Sequence, residues 1–182
     1  FKHNSGGGVR FAAKSDVLVT KCDFISNDAA LNDGGGLSCS GCNRLSVGKR
    51  TKFEKNIAAR GGGVALINTP NAVLEKSSSF QQNEAKDGGG GGLFWSSVSL
   101  SEPSFDKDMA TMWIGNTANY GPNFASDAVK CRVHARANSS SSSTEIRRAK
   151  NTQTFEPITI EVLDFYNATA ADLTLATKVT VS

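Results

Sequence analysis

The sequence predicts an all-β chain: a parallel β-helix of about 4–5 coils, then the opening strands of a β-sandwich-like module. Three observations carry this. First, an aromatic followed three residues later by Asn recurs, as Phe1-Lys-His-Asn4, Phe24-Ile-Ser-Asn27, Phe53-Glu-Lys-Asn56, Phe80-Gln-Gln-Asn83 and, degenerately, Trp113-Ile-Gly-Asn116. The aromatics lie 23, 29, 27 and 33 residues apart, a solenoid period. Second, the first four copies each lead to a glycine run and an aliphatic residue: Gly6 to Gly8 and Val9, Gly34 to Gly36 and Leu37, Gly61 to Gly63 and Val64, Gly88 to Gly92 and Leu93. Third, the segments between, such as VRFAAKSDVLVTKCDF, hold short β-forming runs broken by Ser, Asn, Pro or Lys. That pattern is strand, turn, strand, with no sustained helical period.

Each element has a stacking role. The glycines serve corners, where the backbone reverses at positive φ and coils about 4.8 Å apart leave little room for side chains. Phe1, Phe24, Phe53, Phe80 and Trp113 are expected to form an inward aromatic column. Asn4, Asn27, Asn56, Asn83 and Asn116 are expected to form a ladder of amides bonded coil to coil. Further inward columns are Val9, Leu37, Val64, Leu93; then Phe11, Cys39, Leu66, Trp95; then Leu18, Val47, Leu74.

The chain has 182 residues and a net charge of +3, with no apolar run long enough to span a membrane. It opens inside a repeat, so further coils are expected before residue 1, and any signal peptide would lie outside this sequence. Among the cysteines, Cys39-Ser-Gly-Cys42 lacks the second pair a zinc site would want, and it sits at a strand-to-turn boundary rather than a helix start. A local disulfide between Cys39 and Cys42 is expected, a buried thiol pair being the alternative. Cys22, two residues before Phe24, reads as a small core residue.

Residues 1–136 form the coil array, 137–153 a Ser-rich linker or loop, and 154–182 the opening strands of the second module. The long 93–113 coil, with Pro103 and Phe105-Asp-Lys-Asp108, reads as a coil with a loop excursion. Ala128 to Val133 reads as a further strand or partial coil, with the array ending near residue 135 and the module opening near Phe155 packing beside it. Asn138 and Asn167 head N-glycosylation sequons. The basic residues Lys130, Arg132, Arg136, Arg147, Arg148 and Lys150 lack the interleaved aromatics of a nucleic-acid site and read as a solvated surface.

Repeated F-x-x-N followed by G-G-[GA]-[ILV] resembles the repeats of chlamydial polymorphic outer-membrane proteins. It is still more similar to the right-handed parallel β-helix arrays of very large extracellular proteins of algae and other protists. In those arrays a G-N-x-A-x-x-G-P-like segment ends the coils and a P-x-x-[IV]-x-[VL]-x-D pattern opens the next module. Here these are Gly115-Asn-Thr-Ala-Asn-Tyr-Gly-Pro122 and Pro157-Ile-Thr-Ile-Glu-Val-Leu-Asp164. The resemblance implies a right-handed coil and an extracellular or cell-surface location. It also implies flanking domains of the same polypeptide and other copies or chains as partners.

Three functions compete. A non-enzymatic structural segment, building a rigid rod or fibre of a wall, surface coat or flagellar hair, needs no chemistry and leads; a surface adhesin is its near relative. A polysaccharide lyase or hydrolase on this fold would need clustered carboxylates, and a lyase usually Ca²⁺ as well. Asp23, Asp28, Asp33 and Asp87 are instead scattered around corners, and His3 is far from His134. A carbohydrate-binding β-helix would need solvent-facing aromatics, for which Tyr120, Phe105 and Trp113 are the candidates. No catalytic residue, metal, cofactor or nucleic-acid partner is expected.

Overall fold

The computed structural model describes residues 1–29, 31–48, 50–99, 101–134 and 159–170, and none of them is helical. The first coil runs through β1 (Val9–Ala12), β2 (Asp16–Thr20) and β3 (Asp23–Ile25). The second runs through β4 (Leu37–Ser40), β5 (Arg44–Gly48) and β6 (Lys52–Glu54). The third holds β7 (Ile57–Ala58), β8 (Val64–Ile67), β9 (Ala72–Leu74) and β10 (Ser79–Gln81). The fourth holds β11 (Glu84–Ala85), β12 (Leu93–Ser96) and β13 (Trp113–Ile114), and β14 (Phe124–Ser126) follows it.

Strands one coil apart pair in parallel and in register. Val9 faces Leu37, Leu37 faces Val64, Val64 faces Leu93, and Leu93 faces Phe124. The faces so built are β1-β4-β8-β12-β14, β2-β5-β9 and β3-β6-β10-β13, with a short β7-β11 pair beside them. The result is a β-solenoid of about four turns. Its core is the tube between the faces, where Leu37, Leu45, Val47, Phe53, Val64, Phe80 and Leu93 lose all contact with water.

The register corrects one expected column. Leu18 is 71% exposed and pairs with Ser46, while its neighbours Val17 and Val19 are buried. The inward columns of this face are Val17, Leu45, Ala72 and Val19, Val47, Leu74. In Val-Leu-Val every residue is apolar, so composition does not set the parity, and a one-residue slip turns every side chain over. The long fourth coil does contain an excursion: after β12 the chain leaves the sheet, touches it again where Ser104 bridges Val73, and rejoins at β13.

The parallel ladder ends at Ser126, not near residue 135. Ala128 to Val133 is not a partial coil: β15 (Ala128–His134) pairs antiparallel with β16 (Thr159–Asp164), Ala128 facing Asp164 and His134 facing Thr159. Asn138 and the 137–153 segment lie outside the described residues, as does all of 154–182 except 159–170.

Candidate functional site

The F-x-x-N corner is the repeated chemical feature, and it organises the whole axis. Phe24, Phe53, Phe80 and Trp113 sit on the β3-β6-β10-β13 face and point inward, each in register with the next; Phe1, expected inward too, lies over Phe24 at the open end of the stack and is 59% exposed, because no ring covers its other face. Phe1, Phe24, Phe53, Phe80 and Trp113 stack face to face, with centroids 5.2, 4.8, 4.9 and 4.7 Å apart. The spacing is that of the strands, so the rings are held in offset stacking by the backbone ladder itself.

Three residues on, each Asn turns into the same tube. Asn27 donates its backbone N–H and its Nδ2 to Oδ1 of Asn56, at 3.0 and 2.8 Å. Asn56 does the same to Asn83, and Asn83 to Asn116. The second Nδ2 hydrogen runs back to a phenylalanine carbonyl, from Asn56 to Phe24 and from Asn83 to Phe53. Thus each buried amide uses both donors and a doubly loaded acceptor, which makes burial of so polar a column tolerable. Asn4 opens the ladder at the exposed first coil. Asn123 closes it by accepting from Asn116 at 3.2 Å, a partner the sequence reading did not identify.

Two further features escaped that reading. Ala29, Ala58 and Ala85 are buried two residues after each Asn, and the F-x-x-N-x-A pattern that signals them is visible in the sequence. Positive φ also recurs well beyond the glycines. His3, Ser26, Lys55, Gln82 and Gly115, each just before the ladder Asn, all lie between 52° and 62°.

Arg60 braces the outer surface. Arg60 forms a two-pronged pair with Asp33, at 2.9 and 2.7 Å, and reaches Asp127 at 3.2 Å. Its guanidinium lies 4.5 Å from the centroid of the fully buried Phe94 ring. The hydrogen bonds that Arg60 donates to the Asp33 carboxylate hold the Arg60 pKa above its usual value despite partial burial. Cys39 and Cys42 are joined by a disulfide with Cα atoms 6.0 Å apart, around Gly41 at φ 68°. Cys22 is a free, half-buried thiol packed against the core. Asn167 is exposed in the turn after β16, and its Oδ1 accepts from Lys130.

The other candidates do not converge. Asp33 is taken by Arg60, and Asp23, Asp28 and Asp87 occupy other parts of their coils. Among the described residues no group of three or more His, Cys, Asp or Glu is placed to hold a metal ion, and no helix is long and apolar enough to cross a membrane. Of the candidate sugar-stacking aromatics, Trp113 is 6% exposed. Phe105 is half-buried with its ring 5.6 Å from that of Trp113. Tyr120 is half-buried and donates its hydroxyl to the Ser126 carbonyl.

At the C-terminal end the stacking changes character. Phe105 and Phe124 meet Trp113 at 74° and 66°, edge to face rather than stacked. Tyr166 and Phe165 close over Phe124 and Trp95, and the Trp95 indole donates to the Tyr166 hydroxyl at 2.8 Å. The Asp164 carboxylate, fully buried, accepts from the backbone N–H groups of Ser126, Tyr166 and Ala168. Comparison with known proteins leaves the repeat to be read on its own geometry: no family model, curated protein or solved structure matches this chain.

Proposed function

We propose that this chain is a non-enzymatic structural segment of an extracellular or cell-surface protein, a stiff rod element of a wall, coat or filament. The observation that carries the reading is how the repeated residues are spent. The aromatics, asparagines, alanines and glycines that recur in the sequence are engaged in coil-on-coil contact rather than pointed into a shared cleft. A column of face-stacked rings beside a column of bonded amides resists bending and shear along one axis, the property a load-bearing element needs. The Cys39–Cys42 disulfide supports an oxidising location, and the exposed Asn167 sequon is suited to carry a glycan there. Flanking domains of the same polypeptide and other copies are the partners this reading implies.

Surface labelling tests it. An antibody against residues 1–134 should label intact, unpermeabilised cells that make the protein. Labelling that appears only after permeabilisation contradicts the proposal.

A further inference from the structure

The charged residues of the coils are segregated along the axis. Residues 1–60 hold ten Lys and Arg against five Asp and Glu, and residues 61–127 hold three against seven, so the stack is basic toward its first coils and acidic toward its last. The segregation is clearest along the corner that ends the β2-β5-β9 face. Lys21 follows β2 and Arg50 lies just past β5, while Glu75 follows β9 and lines one groove with Asp108 of the fourth coil. Register keeps them in one line: Thr20 faces Gly48, the Glu75 N–H donates to the Val47 carbonyl, and Ser104 bridges Val73. Lys21, Arg50, Glu75 and Asp108 are exposed, and none of them forms an ion pair among the described residues. The charges between them cancel, Lys76 pairing with Asp106 at 2.9 Å and Lys107 with Glu102 at 2.7 Å. Beside this line, the outward side of the same face carries Leu18, 71% exposed, and Val73, 42% exposed.

We infer that this corner and face pair side by side with a second copy of the chain lying antiparallel. The two-fold axis runs across the solenoid, between the second and third coils. That operation sets the first coil against the fourth coil of the second copy, and the second against the third. Lys21 then meets Asp108 of the second copy, Arg50 meets its Glu75, and the symmetry repeats both pairs. A parallel neighbour would set like charges opposite one another, so the charge order selects the antiparallel contact. The same contact covers the outward Leu18 and Val73, which otherwise stand in water. It uses the sides of the coils and involves neither end of the stack. The pairing gives a geometry to the contact between copies that the proposed rod implies, and it rests on that reading for its purpose.

Sedimentation of the full chain at two salt concentrations tests the pairing. The unaltered chain should show a doubled mass at about 0.01 M salt and the monomer mass at about 1 M, where exposed charges are screened. Two charge-reversed variants carry the test to the residues. Lys21→Glu/Arg50→Glu makes the line acidic throughout, and Glu75→Lys/Asp108→Lys makes it basic throughout. All four positions are exposed, and circular dichroism checks that each variant keeps its β signal. Each variant alone should be monomeric at low salt, and an equal mixture of the two should regain the doubled mass. A monomeric unaltered chain at low salt overturns the inference, as does a dimer that persists at about 1 M salt. Variants that dimerise alone, or a mixture that stays monomeric, overturn it too. The salt arm needs no substitution, so the test stands even where a variant folds poorly. Surface labelling bears on the rod reading and sedimentation on the pairing, so either can fail alone.

Discussion

Lys55 and Gly61 both sit at positive φ, 54° and 63°, yet only one of them is glycine. The difference is space. A Cβ at Gly61 would overlap the carbonyl oxygen of Val64, and the same overlap occurs at Gly34, Gly90 and Gly121 with the residue three ahead. At the Lys55 corner the side chain points outward; at the equivalent Gly115 a Cβ would meet nothing closer than Gln82 at 3.6 Å. Glycine was therefore legible in the sequence for the right reason at one corner. The other corners were not, because a tolerated left-handed residue leaves no compositional mark. Two substitutions separate the effects. Gly61→Ala should cost more than the ~1–2 kcal/mol of the left-handed conformation alone, and Lys55→Gly should gain roughly 0.5–1 kcal/mol. Thermal unfolding of both variants measures this, and equal and opposite shifts would contradict the steric distinction.

At the scale of elements, the columns rather than the single strands hold the fold. Coil strands of two to five residues are too short to stand alone, but the inner ones, such as β5, β6 and β10, are sandwiched between equivalents in the coils before and after them. Phe53→Ala should cost about 3–5 kcal/mol, since it opens a void between two stacked rings. Asn56→Ala should also cost heavily. It strands the Asn27 amide, the Asn27 N–H and the Phe24 carbonyl, at roughly 1–3 kcal/mol for each buried polar group left unpaired. Chemical denaturation of the two variants provides the comparison. The aromatic and amide columns were readable because their residues are distinctive and sit at one fixed spacing. Leu18 was misread because its flanking valines carry the same hydrophobicity. At the C-terminal end both strands and their place beside the last coil were readable, but their mutual pairing was not, because they are far apart in sequence and no local pattern announces antiparallel pairing over that distance.

The turn after β16 also carries a pH signature. Burial, first, and then the hydrogen bond to Glu102 raise the Tyr166 phenol above its ordinary value, while the Trp95 indole opposes this. Lys107 lies over the Tyr166 ring, its ammonium paired with Glu102 at 2.7 Å, and the Asp164 carboxylate is close by. A group that ionises later in the folded state supports folding fully below its unfolded pKa, and that support falls as pH climbs past it. Stability should therefore decline above about pH 10, and Tyr166→Phe should flatten the decline. A decline identical in both proteins would assign it elsewhere.

Across the whole molecule, Arg60 shows how coils far apart in sequence are tied. It joins Asp33 in the second coil, covers Phe94 in the fourth, and reaches Asp127 just past β14. These groups are partly solvated, so Arg60→Ala should cost only about 1–2 kcal/mol, mostly through the lost cover of the aromatic ring. The brace is an addition to the main axis, which runs through the stacked rings and amides. Stiffness of that axis is the property on which the proposed structural role depends, and the side-chain amides of Asn27, Asn56 and Asn83 report it most directly. Their exchange with deuterium, followed by nuclear magnetic resonance together with ring-to-ring Overhauser contacts between Phe24, Phe53 and Phe80, is the decisive measurement. Amide protons as long-lived as the backbone N–H groups of β8, with contacts between successive rings, are the predicted result. Side-chain amides that exchange as fast as those of the exposed Asn71, or rings without mutual contacts, would contradict the stacked solenoid and the rod built from it.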